Sequence, residues 1–136
     1  MSIMCCVYIP EGIVLAADSR LTRTKTGNIT EIPETETIPK TVVIPKTIYT
    51  VSDNTQKVML IKKSNVGISF CGNAIINGAT VADFIRRFEI EKVSSEDTTE
   101  QIAHALADYY NGNDTHFFVC GYDSDIPYVF DVYKKN

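Results

Sequence analysis

Ile3-Met-Cys-Cys-Val-Tyr-Ile-Pro-Glu-Gly-Ile-Val-Leu-Ala-Ala-Asp-Ser-Arg20 is the stretch on which the fold reading turns. Ile3 to Ile9 is an apolar, β-leaning run. Pro10-Glu11-Gly12 breaks it, and Ile13 to Ala17 is a second apolar run. Two such runs joined by short Pro/Gly punctuation predict a β-hairpin. Neither run alternates cleanly with polar residues, which predicts strands covered on both faces.

Working outward, the segment after the hairpin turns polar. Residues 25–46 are rich in Thr, Glu, Ile and Pro, and Ile-Pro-Lys occurs twice. Proline removes a backbone donor, so this segment fits neither a central strand nor a helix interior. An inserted loop or exposed β-arm is expected there. Ile48 to Val51, Val58 to Ile61 and Val66 to Cys71 predict short strands, the last ended by Gly72-Asn73. Residues 75–90 follow the helical period, with Ile75, Ala79, Ala82 and Ile85 on one face. Ser94-Ser95-Glu96-Asp97 suits a helix start, and Ile102, Ala105, Leu106, Tyr109 and Tyr110 mark the buried stripe of a second helix. Phe117 to Tyr122 and Tyr128 to Tyr133 predict two more strands. Strands, two helices, then strands is the order of an α+β protein with an antiparallel sheet system under a helical layer.

The chain has 136 residues, 44% of them hydrophobic and 22% charged, which suits one globular domain with a real core. A net charge of −4 and the lack of a basic stripe argue against nucleic acid and anionic membranes as partners. No window has the apolar length of a transmembrane helix, and Pro10 and Glu11 interrupt any signal-peptide pattern. The expected compartment is the cytoplasm. Cys5, Cys6, Cys71 and Cys120 each sit in an apolar run without metal-ligand spacing, so buried, reduced thiols are expected. Neither His104 nor His116 has a nucleophile at a recognisable spacing.

Gly12-Ile-Val-Leu-Ala-Ala-Asp-Ser-Arg20 resembles the signature near the mature N-terminus of proteasome β subunits and their bacterial two-ring relatives. Tyr49-Thr-Val-Ser-Asp-Asn-Thr-Gln-Lys-Val58 resembles the strand that carries the family's essential lysine, here Lys57. Gly67-Ile-Ser-Phe-Cys-Gly-Asn-Ala74 resembles the strand ending in its oxyanion-hole glycine, here Gly72. The family's nucleophile lies sixteen positions before the signature aspartate, and that position before Asp18 is Ser2. Removal of Met1 before a small residue would free the amine of Ser2.

The resemblance implies an N-terminal-nucleophile hydrolase with an αββα sandwich of antiparallel sheets and flanking helices over residues 1–136, with the arm at 25–46 as an insertion. It also implies later strands and helices, carrying a serine and an aspartate beside the amine, to which this sequence does not extend. Ser2 departs from the family's usual threonine. The implied activity is intracellular cleavage of peptides or unfolded proteins through an acyl-enzyme, with no metal or cofactor. The implied partners are further copies in a ring and an ATP-driven unfoldase. A non-catalytic subunit of the same fold and a small-amide hydrolase are the alternatives.

The implied roles follow from elementary chemistry. A serine hydroxyl needs an adjacent base. A terminal α-amine, with an ordinary pKa of about 7.7–8.0, can supply one on the same residue. A lysine cation nearby discourages protonation of that amine. Asp18 would fix the Lys57 ammonium, the amide at Gly72 would face the oxyanion, and Arg20 would brace the Asp18 loop.

Overall fold

The computed structural model describes residues 2–27, 30–31, 42–43, 46–112 and 114–133. Their elements in chain order are β1 (Met4–Ile9), β2 (Gly12–Ala17), β3 (Leu21–Thr26), β4 (Thr30–Glu31), β5 (Val42–Val43), β6 (Lys46–Ser52), β7 (Val58–Ile61), β8 (Val66–Gly72), β9 (Ile75–Ile76), β10 (Ala79–Thr80), α1 (Val81–Lys92), α2 (Thr99–Tyr109), β11 (Thr115–Asp123) and β12 (Ile126–Val132). The chain divides into two compact units, Met1–Ser19 with Gln56–Asn136, and Arg20–Thr55.

In the first unit the central element is an antiparallel sheet ordered β12-β11-β8-β7. Its strands alternate, as the period-2 geometry of a pleated strand requires. Val66, Ile68, Phe70, Phe117, Val119 and Val132 are buried towards one face. Against that face pack Val81, Phe84, Ile85 and Phe88 of α1 and Ile102, Ala103 and Leu106 of α2. Phe84 and Phe88 meet Tyr109 with ring centroids 5.2 and 5.4 Å apart, and Tyr110 stands edge-on to Phe117 at 5.2 Å. Each large side chain so buried contributes about 1.5–3 kcal/mol.

The opposite face of the sheet carries the β1–β2 hairpin, paired from Met4↔Ala17 to Ile9↔Gly12. Gly67 lets it come close. A Cβ there would stand 2.9 Å from Leu15 Cδ1 and 3.2 Å from Cys120 Sγ. The Ser69 hydroxyl lies 3.8 Å from Met4 Sδ, and the Tyr122 hydroxyl donates to the Ile9 carbonyl at 3.2 Å.

The αββα sandwich implied by the family resemblance is not what forms. About half of the described residues are strand and a fifth helix, with two helices and small sheets. A sandwich of that kind needs two broad stacked sheets with helices outside both. Here α1 and α2 pack on the same four-stranded sheet, and the second layer is only a two-stranded hairpin. For the same reason the hairpin is not covered on both faces: Ile3, Val7, Ile9 and Val14 are each more than half exposed. Cys5 is exposed too, unlike half-buried Cys6 and Cys71 and buried Cys120.

The first helix begins later than its periodicity predicts. Asn77 and Gly78 both have positive φ, 51° and 78°, the geometry of a tight hairpin turn. That turn closes a short β9–β10 pair, and Thr80 then caps α1 by accepting from the Asp83 amide. Ile75 and Ala79 therefore belong to strands. α2 starts at a reciprocal capping box between Thr98 and Gln101, just after the acidic turn that the sequence favoured.

In the second unit β3 and β6 form an antiparallel ribbon from Leu21↔Ser52 to Thr26↔Lys46, with a register shift between Leu21 and Thr22. β4 and β5 pair through Thr30↔Val43 and Glu31↔Val42. Most of the arm expected at 25–46 lies outside the described residues.

Candidate active site

The hairpin and the sheet place three of the sequence-selected side chains within bonding distance. Asp18 follows β2 directly and continues its pairing by one residue pair. Its amide donates to the Ile3 carbonyl at 3.0 Å, and its Oδ1 accepts from the Ile3 amide at 2.8 Å. One aspartate thus clamps the chain next to Ser2 through backbone and side chain together.

Lys57 arrives from the sheet. It precedes β7, and its carbonyl accepts from the Phe70 amide at 3.1 Å, which docks it against β8. Its Nζ donates to Asp18 Oδ2 at 3.0 Å and to Ser2 Oγ at 3.3 Å. Lys57 is only 4% exposed, which is rare for a lysine and tolerable because its ammonium is paired. The Asp18 side chain keeps 28% of its surface, so water reaches the pair from one side.

Gly72 ends β8 with φ of +111°, a conformation open to glycine and costly for other residues. A Cβ there would run into the carbonyl oxygen of Asp114. The adjoining turn is fixed by the Asn73 amide donating to that same carbonyl at 2.8 Å, and by Thr115 Oγ1 donating to the Asn73 carbonyl at 2.9 Å. The Tyr110 hydroxyl accepts from the Asp114 and Thr115 amides at 3.1 and 3.0 Å. Close packing by itself therefore accounts for a glycine at this position. Arg20 belongs to the second unit, where its Nε donates to Asp53 Oδ1 at 2.7 Å, both side chains being about two-thirds exposed. Exposed pairs of this kind contribute about 0–1 kcal/mol.

One neighbour escaped the sequence reading. Cys71 is half-buried beside the site. Burial pushes its thiol pKa up, Asp131 adds to the rise, Lys57 opposes it and Asp18 adds again. These influences place the thiol among the same charges. Its parity with Ser69 on β8 could have revealed it, since alternate residues share a face. Among the described residues no His, Cys, Asp and Glu cluster could hold a metal ion, and no helix is long and apolar enough to cross a membrane.

Compared with models of protein families, with curated proteins and with solved structures, the chain matches none. The functional reading therefore rests on these residues and their geometry.

Proposed function

We propose that this chain cleaves peptide bonds with the hydroxyl of Ser2, in the manner of proteasome-type N-terminal-nucleophile peptidases. One observation carries the reading: a buried lysine ammonium bridges Ser2 Oγ and Asp18 at 3.3 and 3.0 Å. Ser2 and Lys57 are separated by 55 residues, and burying a lysine is expensive unless it has work or a partner.

With Met1 removed, the α-amine of Ser2 takes the hydroxyl proton, directly or through one water, as Oγ attacks the scissile carbonyl. Lys57 stabilises negative charge growing on Oγ and disfavours a protonated amine. Asp18 holds Lys57 and, through Ile3, the segment that bears the nucleophile. The Gly72 amide is the proposed donor to the oxyanion; one such donor is typically worth about 2.7–4 kcal/mol of barrier. The amine fragment leaves with the proton, and water then hydrolyses the ester on Ser2. On this reading the substrate is a peptide or unfolded protein, and the enzyme works in the cytoplasm as a ring of copies served by an ATP-driven unfoldase.

Intact-mass analysis before and after a β-lactone or peptide epoxyketone tests the reading. The expected result is a mature chain beginning at Ser2 and one adduct on that residue, absent in Ser2→Ala and Lys57→Ala. Labelling that persists in Ser2→Ala overturns it. A second reading, a non-catalytic subunit, is favoured by the exposed apolar face of the hairpin, and a retained Met1 is the result it predicts.

A further inference from the structure

Where the hairpin lies on the sheet, two thiols from opposite layers meet. On β1, Met4 and Cys6 turn towards the sheet and Cys5 turns away, as the alternation of a strand requires. Cys6 stands opposite Leu15 across the hairpin. Leu15 lies on Gly67 of β8, 2.9 Å from where a Cβ of that residue would stand. Gly67 pairs in turn with Cys120 of β11, whose Sγ is 3.2 Å from the same Cβ position. With only a glycine at this point, the layers come close. The Cys120 thiol donates a hydrogen bond to the Cys6 sulfur above it.

The chemistry proposed at Ser2 uses neither thiol. We propose that Cys6 and Cys120 are a redox pair, which hydrogen peroxide joins into a disulfide that ties the hairpin to the central sheet. A bridge between layers of this kind joins the two sheets of an antibody domain. The direction of the hydrogen bond assigns the roles. It favours a thiolate on Cys6 and holds the proton on Cys120. Cys6 is half-buried and Cys120 only 4% exposed, so Cys6 meets the oxidant first. Its thiolate attacks one peroxide oxygen and breaks the O–O bond, giving a sulfenic acid and releasing hydroxide. The Cys120 sulfur then attacks the Cys6 sulfur. The S–O bond breaks, and the departing hydroxide leaves as water with the Cys120 proton. Overall two thiols lose two electrons and two protons, and one peroxide becomes two waters.

Geometry excludes the other two cysteines. Cys5 points to the outer face of the hairpin. Cys71 pairs with His116, four residues along β11 from Cys120, or roughly 13 Å at the rise of a strand. A disulfide needs Cα atoms within about 7 Å of each other. In a reducing compartment such bonds are ordinarily transient. The hairpin is then fixed while oxidant is present and released by thiols afterwards.

Hydrogen peroxide added to the full chain carrying Cys5→Ser, which removes the exposed competitor, tests this. Peptide mapping by mass spectrometry without reductant should find one Cys6–Cys120 crosslink, lacking two hydrogens, reversed by dithiothreitol and absent in Cys6→Ala. Closing a loop of roughly 100 residues constrains the unfolded chain, so oxidation should raise Tm by about 10 °C or more. Hydrogen exchange in β1 and β2 should slow at least about tenfold. Cys71→Ala should crosslink as the parent does. Thiols that both stay reduced, a Cys6 that stops at sulfinic acid beside a reduced Cys120, a crosslink through Cys71, or a bond that leaves Tm unchanged overturns the proposal. Ser2→Ala should crosslink equally well, so failure here leaves the reading of Ser2 standing.

Discussion

Asp18→Asn removes one charge and little else. The amide oxygen can still accept from the Ile3 amide, replacing the 2.8 Å bond to Oδ1. The amide nitrogen, however, turns donors towards the Lys57 ammonium, which loses its 3.0 Å carboxylate partner while only 4% exposed. Orphaning one member of a fully buried pair costs about 3–5 kcal/mol. Asp18 is partly wetted, so the expected loss is about 2–3 kcal/mol, or roughly 6–12 °C in Tm for a chain of this length. Lys57→Met keeps the volume and takes the ammonium from a carboxylate that water reaches and the Ile3 amide still binds, at about 1 kcal/mol. Asp18→Asn with Lys57→Met removes both charges of the pair and should lie within about 1 kcal/mol of the parent, a coupling of about 2 kcal/mol. Thermal and urea unfolding followed by circular dichroism measure all four proteins. A double variant that loses the sum of the two single losses refutes the reasoning. All three variants should fail to label at Ser2, so stability returns in the double variant and reactivity does not.

Gly72→Ala should destabilise by about 2–4 kcal/mol, because positive φ and the Asp114 carbonyl both oppose a side chain; a shift in urea midpoint near zero would contradict the close packing. Tyr110→Phe strands the Asp114 and Thr115 amides and should cost about 2–4 kcal/mol, read the same way. Thr98→Ala removes the cap of α2 and should cost about 1 kcal/mol, with faster hydrogen exchange confined to the first turn of that helix. Burial and the neighbouring Cys6 push the Cys120 thiol up from 9.0 to about 12. The folded state therefore holds that proton more firmly. Its contribution to stability is complete below pH 9.0 and is lost as pH climbs towards about 12. Alkaline unfolding should be flatter over that window in Cys120→Ala, and iodoacetamide at neutral pH should modify exposed Cys5 long before Cys120.

The elements that the sequence predicted best are those whose local signals agree. The hairpin at Ile3 to Ala17, the strands near 58–61, 66–71 and 117–122, and the second helix each combine periodicity with a breaker or a cap at their ends. The first helix was displaced because Asn77-Gly78, a turn signal in its own right, sits inside an apolar pattern that also fits a helix. The spacing between Ser2 and Asp18 is legible because two paired strands make sequence distance a measure of register: if Met4 faces Ala17, then Ile3 faces Asp18.

What the linear chain determined by itself is local: which runs become strands, where turns fall, and which residue types could do acyl-transfer chemistry. Whether the hairpin is covered was beyond it, because an apolar strand reads the same under a helix as it does open to solvent. Only the folded chain decided that Lys57, buried on the sheet, meets the base of the hairpin, since that contact depends on how two layers stack. Among the described residues the same stacking pairs β2 with β1 alone and sets it over β8 and β7. Burial is a property of what packs on a residue, and neither covering layers nor their absence is written in the run of residues that they cover.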